Sequence, residues 1–453
     1  MKKRKLNQHV FNAMVEGRKY AEIRSCFDTY NLIDVAALAQ NLETEQLLML
    51  FKILRREVSS EMFTYLSAEK QEEVVNAFTS DEISRMLNNL MSDDIVEFLG
   101  ELPANLVKKI LIAASPEQRS EINHLLAYPE DSVGSIMSPE FVELKATDTV
   151  KRAITKIRSQ GKITDVITNC YVIDANRRLV GSIRLREILF NDEDQLIGDL
   201  METDVKYVHT TDDQEAATET FRKYDLSVLP VVNDEQRLIG IITADDIIDV
   251  LTEETTEDIH KMAAIIPIDD SYLNTSVWTM FKSRIAWLIV LMVSATFTGL
   301  ILQGYEAELT LIPALASAMP MILSTAGNAG SQSSIMVIRG ISVDGLRLGD
   351  VKRVLWKELQ IALVIGAILF AVNYVRLLVF MPQIGQATTL VICLTVFITV
   401  VLAKLSGGIL PLIALFFKQD PAAMASPLIT TVVDALALYI YFNLAAVILQ
   451  SVL

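Results

Sequence analysis

Apolar and polar positions change rhythm three times along this chain. Over residues 67–126 a unit of roughly 12 residues recurs, as SAEKQEEVVNAF, SDEISRMLNNLM, SDDIVEFLGELP, ANLVKKILIAA and SPEQRSEINHLL. Most units end on an apolar pair, and several open on Ser followed by carboxylates. This predicts short helices with Ser67, Ser80, Ser92 and Ser115 as N-caps, since a hydroxyl there accepts an orphan amide hydrogen. The carboxylates beside them suit the positive end of the helix dipole. So short a helix cannot bury its apolar face alone, which predicts stacking into a small superhelix. Its acidic outer face reads equally as a docking surface or a solvated one.

From about Val133 the pattern becomes short β-rich runs alternating with helical ones, in two similar units. Each has an amphipathic helix, a β-branched strand (YVID; LPVVND), a turn (ANRR; DEQR), a second strand (LVGSI; LIGII) and a helix. The run that follows, ADDIIDVLTEETTEDIHKMAA, places Asp245, Asp249, Glu253 and Glu257 four residues apart, with Glu254 and Asp258 flanking. On a continuous helix these form one slowly drifting stripe of like charges, which repel. A divalent cation or a basic partner relieves that repulsion; a solvated face is the plain alternative.

The last part is apolar. Five stretches are long enough to span a bilayer, at about residues 285–302, 309–338, 354–380, 388–414 and 427–449. The second is too long and holds Pro313, Pro320, Gly327 and Gly330, which predicts a kink or break. Lys282, Arg284, Arg339, Arg347, Lys352, Arg353 and Lys418 fall in alternate connections, whereas QGYEAEL and MPQIGQA carry no Lys or Arg. By the positive-inside rule the N-terminus lies inside and the C-terminus outside. Arg376 is the one discordant charge and is expected to snorkel.

Composition sharpens this picture. The 453 residues are 51% hydrophobic with a formal net charge of −16, and the acidity sits in the first half. Such a surface argues against nucleic acid, whose phosphates want Lys and Arg, and suits cation handling or plain solubility. Cys26, Cys170 and Cys393 lie too far apart for a metal motif or a disulfide framework. The basic start MKKRK has no apolar core behind it, so it is no secretory signal. No phosphate-binding glycine loop points to an ATPase, and the spans argue against a soluble enzyme.

Two features of the apolar part carry chemistry. In PMILSTAGNAGSQSS, Gly327 and Gly330 predict bent backbone, tolerated at membrane depth only where it is buried or lines a wet cavity. Asn328, Ser331 and Gln332 would supply neutral polar atoms there; small-residue helix packing is the alternative. Asp434, in SPLITTVVDALALYIYF, is a lone carboxylate inside a span and by default functional. Thr430 and Thr431 are expected on the same lumen, with Lys404 a candidate partner; the alternative is a structural Asp bonded across helices. Mg²⁺ wants octahedral oxygen and sheds water reluctantly, so one carboxylate per subunit could hold it hydrated, two copies meeting on a dimer axis. Transition metals would be expected to use Cys or His, and the spans hold one Cys and no His.

The two α/β units resemble a tandem of CBS domains. GIITADD is similar to that family's ribose-binding motif, implying Asp246 at the carboxylate that meets an adenine nucleotide such as ATP. The first unit departs from it, with Arg184 and Glu187 in GSIRLRE. Over nearly its full length the chain resembles the MgtE family of Mg²⁺ channels. The resemblance rests on YPEDSVGSIM, TEDIHK, GLILQGYE, GNAGSQ and DPAAMASPLITTVVD in that order. It implies a multidomain chain: an all-α superhelical N-domain over 1–132, CBS domains over 133–192 and 193–251, a plug helix over 252–276, and a five-span transmembrane domain over 277–453. It implies a homodimer in the plasma membrane that transports Mg²⁺ and is not an enzyme. Asp434 would be the pore carboxylate; Asp246, Asp249, Glu254, Glu257 and Asp258 would bind regulatory Mg²⁺ with Asp93 or Asp94 of the N-domain. Alternatives are a transporter of Mn²⁺ or Co²⁺, or a sensor that transports nothing.

Overall fold

The computed structural model describes residues 6–161, 164, 166–268, 272–273, 275–424 and 426–449. It falls into two compact units, Met1–Leu251 and Thr252–Leu453.

The first unit opens with short helices: α1 (Gln8–Glu16), α2 (Tyr20–Thr29), α3 (Leu32–Ala39), α4 (Thr44–Ile53), α5 (Arg56–Thr64), α6 (Ala68–Ala77), α7 (Ser80–Leu87), α8 (Ser92–Glu101), α9 (Ala104–Ala113) and α10 (Pro116–Leu125). From α4 on, each packs on the helix two places ahead, α4 on α6, α5 on α7, and so on to α8 on α10. This is the stacking that the 12-residue repeat predicts, because alternate apolar faces share one core. Phe63 is fully buried there, edge-on to Phe51 and Phe98 with ring centroids 6.4 and 5.2 Å away.

The caps differ in part from expectation. Ser115 accepts from the Gln118 amide in a reciprocal capping box, and Ser67 is an N-cap whose hydroxyl makes no cap bond. Ser80 is not a cap: Thr79, one residue earlier, forms the box with Glu82. Ser92 is already inside its helix, and Met91 is the N-cap. The Ser92 amide and hydroxyl instead donate to Glu140 Oε1, at 3.1 and 2.7 Å.

Two α/β subdomains follow. The first has β1 (Glu143–Lys145), α11 (Val150–Gln160), β2 (Asn169–Ile173), β3 (Leu179–Arg184), α12 (Leu185–Phe190) and the one-turn α13 (Ile197–Leu200). The second has β4 (Val208–His209), α14 (Gln214–Lys223), β5 (Val228–Val232), β6 (Leu238–Thr243) and α15 (Ala244–Met262). Each sheet pairs its first strand parallel and its last antiparallel to the middle one. The two hairpin turns match atom for atom. Asp174 Oδ1 accepts from the amides of Asn176 and Arg178, and Asn233 Oδ1 from those of Glu235 and Arg237. That Asx geometry puts Arg177 and Gln236 at φ 65° and 62°.

The second unit is a helical bundle: α16 (Val277–Gly304), α17 (Glu306–Leu311), α18 (Pro313–Ser342), α19 (Val351–Phe380), α20 (Gln386–Phe416) and α21 (Ser426–Ile448). Among the described residues, four segments are long and apolar enough to cross a membrane: Val277–Gly304, Leu348–Phe380, Gln386–Phe416 and Pro427–Ile448. Helix α18 is equally long but more polar, and it lies inside the bundle against α20 and α21. Tyr441 Oη donates to the Leu315 carbonyl at 3.0 Å, tying α21 to α18.

The expected break at GNAGSQ is absent. Helix α18 runs unbroken through Pro320, Gly327 and Gly330, and the interruption comes earlier, at Ile312 between α17 and α18. The glycines are there for close approach. A Cβ on Gly330 would stand 2.8 Å from Ile429 Cγ2 and 3.2 Å from the Ala403 carbonyl oxygen. One on Gly407 of α20 would stand 2.1 Å from the Gly330 carbonyl oxygen. Small residues let these backbones touch.

Candidate functional site

In the bundle, α21 carries Asp434 against the bare face of α18. A Cβ on Gly327 would lie 3.1 Å from Thr430 Cγ2 and 3.9 Å from Asp434 Oδ1. The Asp434 side chain is half-buried and makes no hydrogen bond or ion pair among the described residues. The Thr430 and Thr431 hydroxyls both donate to the Pro427 carbonyl, at 2.9 and 3.0 Å. Their oxygens keep lone pairs free to accept from bound water.

The polar residues of GNAGSQ divide by face. Gly327 and Gly330 are buried, whereas Asn328 and Gln332, four residues apart, are exposed with Ser324 one turn earlier. This leaves a polar stripe on a helix otherwise packed against apolar neighbours.

Lys404 does not pair with Asp434. Its ammonium stands 4.0 Å from Glu358 of α19 and donates to Ser333 Oγ of α18 at 3.2 Å; Ser333 also donates to Glu358. Arg376 does not stand alone either: its Nε and Nη2 donate to Asn373 Oδ1, at 3.0 and 2.8 Å.

In the first unit, carboxylates gather where α8 meets the α/β subdomains. Asp93 and Asp94 lie in the first turn of α8, and Asp245 and Asp246 in the first turn of α15. Burial, then the charges of Asp246, Asp245 and Glu140, push Asp94 up to about 6, against one opposing backbone hydrogen bond. Asp246 is raised by burial and by Asp245 and Asp249, although Thr243 donates to its Oδ2 from N (2.8 Å) and Oγ1 (2.7 Å). Asp249 is raised by partial burial and by Asp245.

Within the second unit, the end of α15 carries a second group. Lys261 Nζ lies 2.6 Å from both Glu257 Oε1 and Asp420 Oδ2. Burial alone would lower this lysine, but the two hydrogen-bonded carboxylates raise it above its usual range. Asp258 is pushed up to about 6 by burial and Asp420, then by Glu254 and Glu257, with Lys261 opposing. The helix is continuous from Ala244 to Met262, so the predicted stripe does form on one rod.

Both groups offer only hard oxygen donors, the chemistry of Mg²⁺ or Ca²⁺. Among the described residues no three His, Cys, Asp or Glu side chains converge as a ready metal cage. A cation held here would keep several waters, which is the habit of Mg²⁺.

Three of the charged residues described above escape sequence reading. Glu140 follows Ser-Pro in a loop without periodicity. Asp420 reads as a turn residue, and its Oδ1 does accept from the Ala422 amide at 2.7 Å. Glu358 sits near the charged start of a span and reads as interfacial, yet it is buried.

Comparison with known proteins agrees with this arrangement. Family models match residues 30–131 as an MgtE intracellular N domain, 133–193 and 197–253 as CBS domains, and 319–444 as MgtE, a divalent cation transporter. The magnesium transporter MgtE of Thermus thermophilus is 34% identical over 342 residues, 74% of each chain. That of Bacillus subtilis is 33% identical over 344 residues, 75% of each. A crystal structure of the soluble part of a magnesium transporter aligns with TM-score 0.52 and 30% identity, covering 55% of this chain and 97% of that one. The cytosolic domain of the Mg²⁺ channel MgtE in complex with ATP aligns at 0.51 and 28%, covering 54% and 100%. The N-domain, CBS and transporter matches thus follow one another along one chain, and the chain belongs to the MgtE family of divalent cation transporters.

Proposed function

We propose that this chain is a Mg²⁺ channel, a homodimer of the plasma membrane that closes when cytosolic Mg²⁺ binds its acidic surfaces. The N-domain over 1–132, the CBS domains over 133–192 and 193–251, and the plug over 252–276 act as the sensor. Residues 277–453 cross the membrane five times, N-terminus inside and C-terminus outside. The observation that carries the reading is Asp434: half-buried, inside a span, and without a protein partner among the described residues. A carboxylate so placed costs stability unless a cation visits it. Mg²⁺ would pass with most of its water, the Thr430 and Thr431 oxygens accepting from those waters. The stripe of Asn328 and Gln332 supports a second copy on the same axis, since polar side chains facing lipid are unfavourable. The names of the relatives support Mg²⁺ as the ion.

Regulation follows from repulsion. Without cation, the carboxylates of Asp94, Asp246 and Asp249 disfavour the packed arrangement, and around Asp258 one lysine, Lys261, is shared between Glu257 and Asp420 and leaves the group net negative; Asp93 adjoins the first set. Mg²⁺ binds the packed state better and shifts the population towards it. The CBS pair takes an adenine nucleotide in the same reading, supported by the ATP complex of the related cytosolic domain. Asp246 would then meet the ribose when no cation engages it.

Protein reconstituted in liposomes with an internal Mg²⁺ dye tests this. Mg²⁺ is expected to enter down its gradient when Mg²⁺ on the sensor side is low, and to stop when it is raised. Asp434→Ala is expected to reduce flux at least about tenfold. Absence of wild-type flux would favour a sensor that transports nothing; equal flux of Mn²⁺ or Co²⁺ would remove the selectivity; unchanged flux in Asp434→Ala would take that residue off the pathway.

A further inference from the structure

Helices α18 and α19 both pack along α20, and between them lies a cavity of about 750 Å³. That is the size of a site for a small organic molecule, about 300–1,000 Å³. On α18 its lining runs from Arg339 and Gly340 back to Gln332, and on α19 from Arg353 to Ile361. These spacings keep to one face of each helix, so the cavity is a groove about eight residues, or roughly 12 Å, long. Asp344 and Leu346, from the connection joining the two helices, line it as well.

Its walls are of two kinds. Ile335, Met336, Val337, Leu346, Val354 and Ile361 make most of the lining apolar, and Ile335, Met336 and Ile361 are exposed. In a bilayer that opening faces acyl chains. Arg339, Arg353 and Lys357 add charge. Arg339 lies 3.6 Å from Asp344 and Arg353 3.2 Å from Asp350, with both arginines exposed. Lys357 has no hydrogen bond or ion pair among the described residues. The buried floor is already balanced, since Lys404 answers Glu358 through Ser333. The surplus at the rim is positive: residues 339–357 hold five Lys or Arg and two Asp, in a chain of net charge −16. Trp356, 62% exposed next to Lys357, marks the depth of the lipid headgroups, where an indole sits best.

We propose that this groove holds one anionic phospholipid, its phosphate on Lys357, Arg353 and Arg339 and an acyl chain along Ile335, Met336 and Ile361. A basic pocket between spans suits such a headgroup. A second copy of the chain fits less well, because a two-fold contact through this face brings the same three cations to it again. The lipid would splint α18 to α19, and α18 carries Gly327 against Asp434. The proposal needs the bundle in a membrane and does not rest on the channel reading.

Native mass spectrometry of the delipidated full-length protein in detergent, with melting temperature as a second readout, tests it. Phosphatidylglycerol is expected to bind at one per chain and to raise the melting temperature. Phosphatidylcholine with the same acyl chains, and glycerol 3-phosphate with none, are expected to do neither. Arg353→Gln with Lys357→Gln, both at exposed positions, is expected to weaken phosphatidylglycerol about thirtyfold, the effect of two cations beside a headgroup. Ile361→Trp, which narrows the apolar wall, is expected to lose the lipid with the rim intact. Equal binding of phosphatidylcholine, unchanged affinity in the double variant, or retention of the lipid in Ile361→Trp would overturn the lipid site. Glycerol 3-phosphate binding as tightly as the lipid would make this a site for free phosphate instead. Dissociation of a dimer in Ile361→Trp would make the face a contact between copies, which also overturns the proposal. Should Ile361→Trp fail to fold, the double variant decides alone.

Discussion

Glu358 and Lys404 are buried charges in a membrane bundle, 8% and 5% exposed, joined through Ser333. Removing one partner of such a pair strands the other, which typically costs about 3–5 kcal/mol. Lys404→Met is therefore expected to lower the melting temperature in detergent sharply. Adding Glu358→Gln to Lys404→Met is expected to recover most of the loss, because no lone charge remains. Additive losses in the double variant would show that the two do not act as a pair. Asp434 is the opposite case. With no partner among the described residues to strand, Asp434→Asn is expected to leave melting unchanged or raised while flux falls, and a lower melting temperature would mark it as structural. The sequence exposes Asp434 because one carboxylate in a long apolar run needs no context to be noticed. It hides Glu358 because Trp-Lys-Glu at a span end reads as interface, and only packing by α18 and α20 buries it.

At the scale of the element, glycine is where reading from sequence fails. Gly327 and Gly330 permit a bend, and that is the inference local chemistry offers. What decides against it is the Ala403 carbonyl and Ile429, both far away in sequence. The same limit explains the strands. β1 and β4 have three and two residues, too few to show alternation, whereas the β-branched runs of β2, β3, β5 and β6 announce themselves. Thr79 takes the cap expected of Ser80 because Glu82 stands three residues after Thr79, a spacing visible in the sequence. The close approach at Gly407 gives a direct test. Gly407→Ala places a methyl group 2.1 Å from a main-chain oxygen, and overpacking of this kind costs about 1–3 kcal/mol or more. A lower melting temperature and a broader size-exclusion peak are expected; a variant as stable as wild type would show that α18 and α20 can part freely.

Across the whole molecule, the raised carboxylates make stability depend on pH and cation together. Asp94 and Asp258 stand at about 6 against an ordinary value of 3.8. Between those values the folded chain holds protons that the unfolded chain releases. Stability from this source is therefore full at low pH and falls as pH rises through that window. A divalent cation can replace the protons. In chelator the melting temperature is expected to fall from pH 5 to pH 7.5, and Mg²⁺ to restore it at pH 7.5 while adding little at pH 5. Parallel melting curves with and without Mg²⁺ across that range would refute the linkage.

Where α20 meets α18 at Gly407 and Gly330, main chain lies on main chain with no side chain between. A joint of that kind has no rotamer to switch and no methyl group to compress. In a machine, α18 and α20 would be the stator. Its rotor is then to be sought at a joint held through bulky side chains, such as the end of α16, whose C-cap Tyr305 stacks on Phe442 at 4.4 Å.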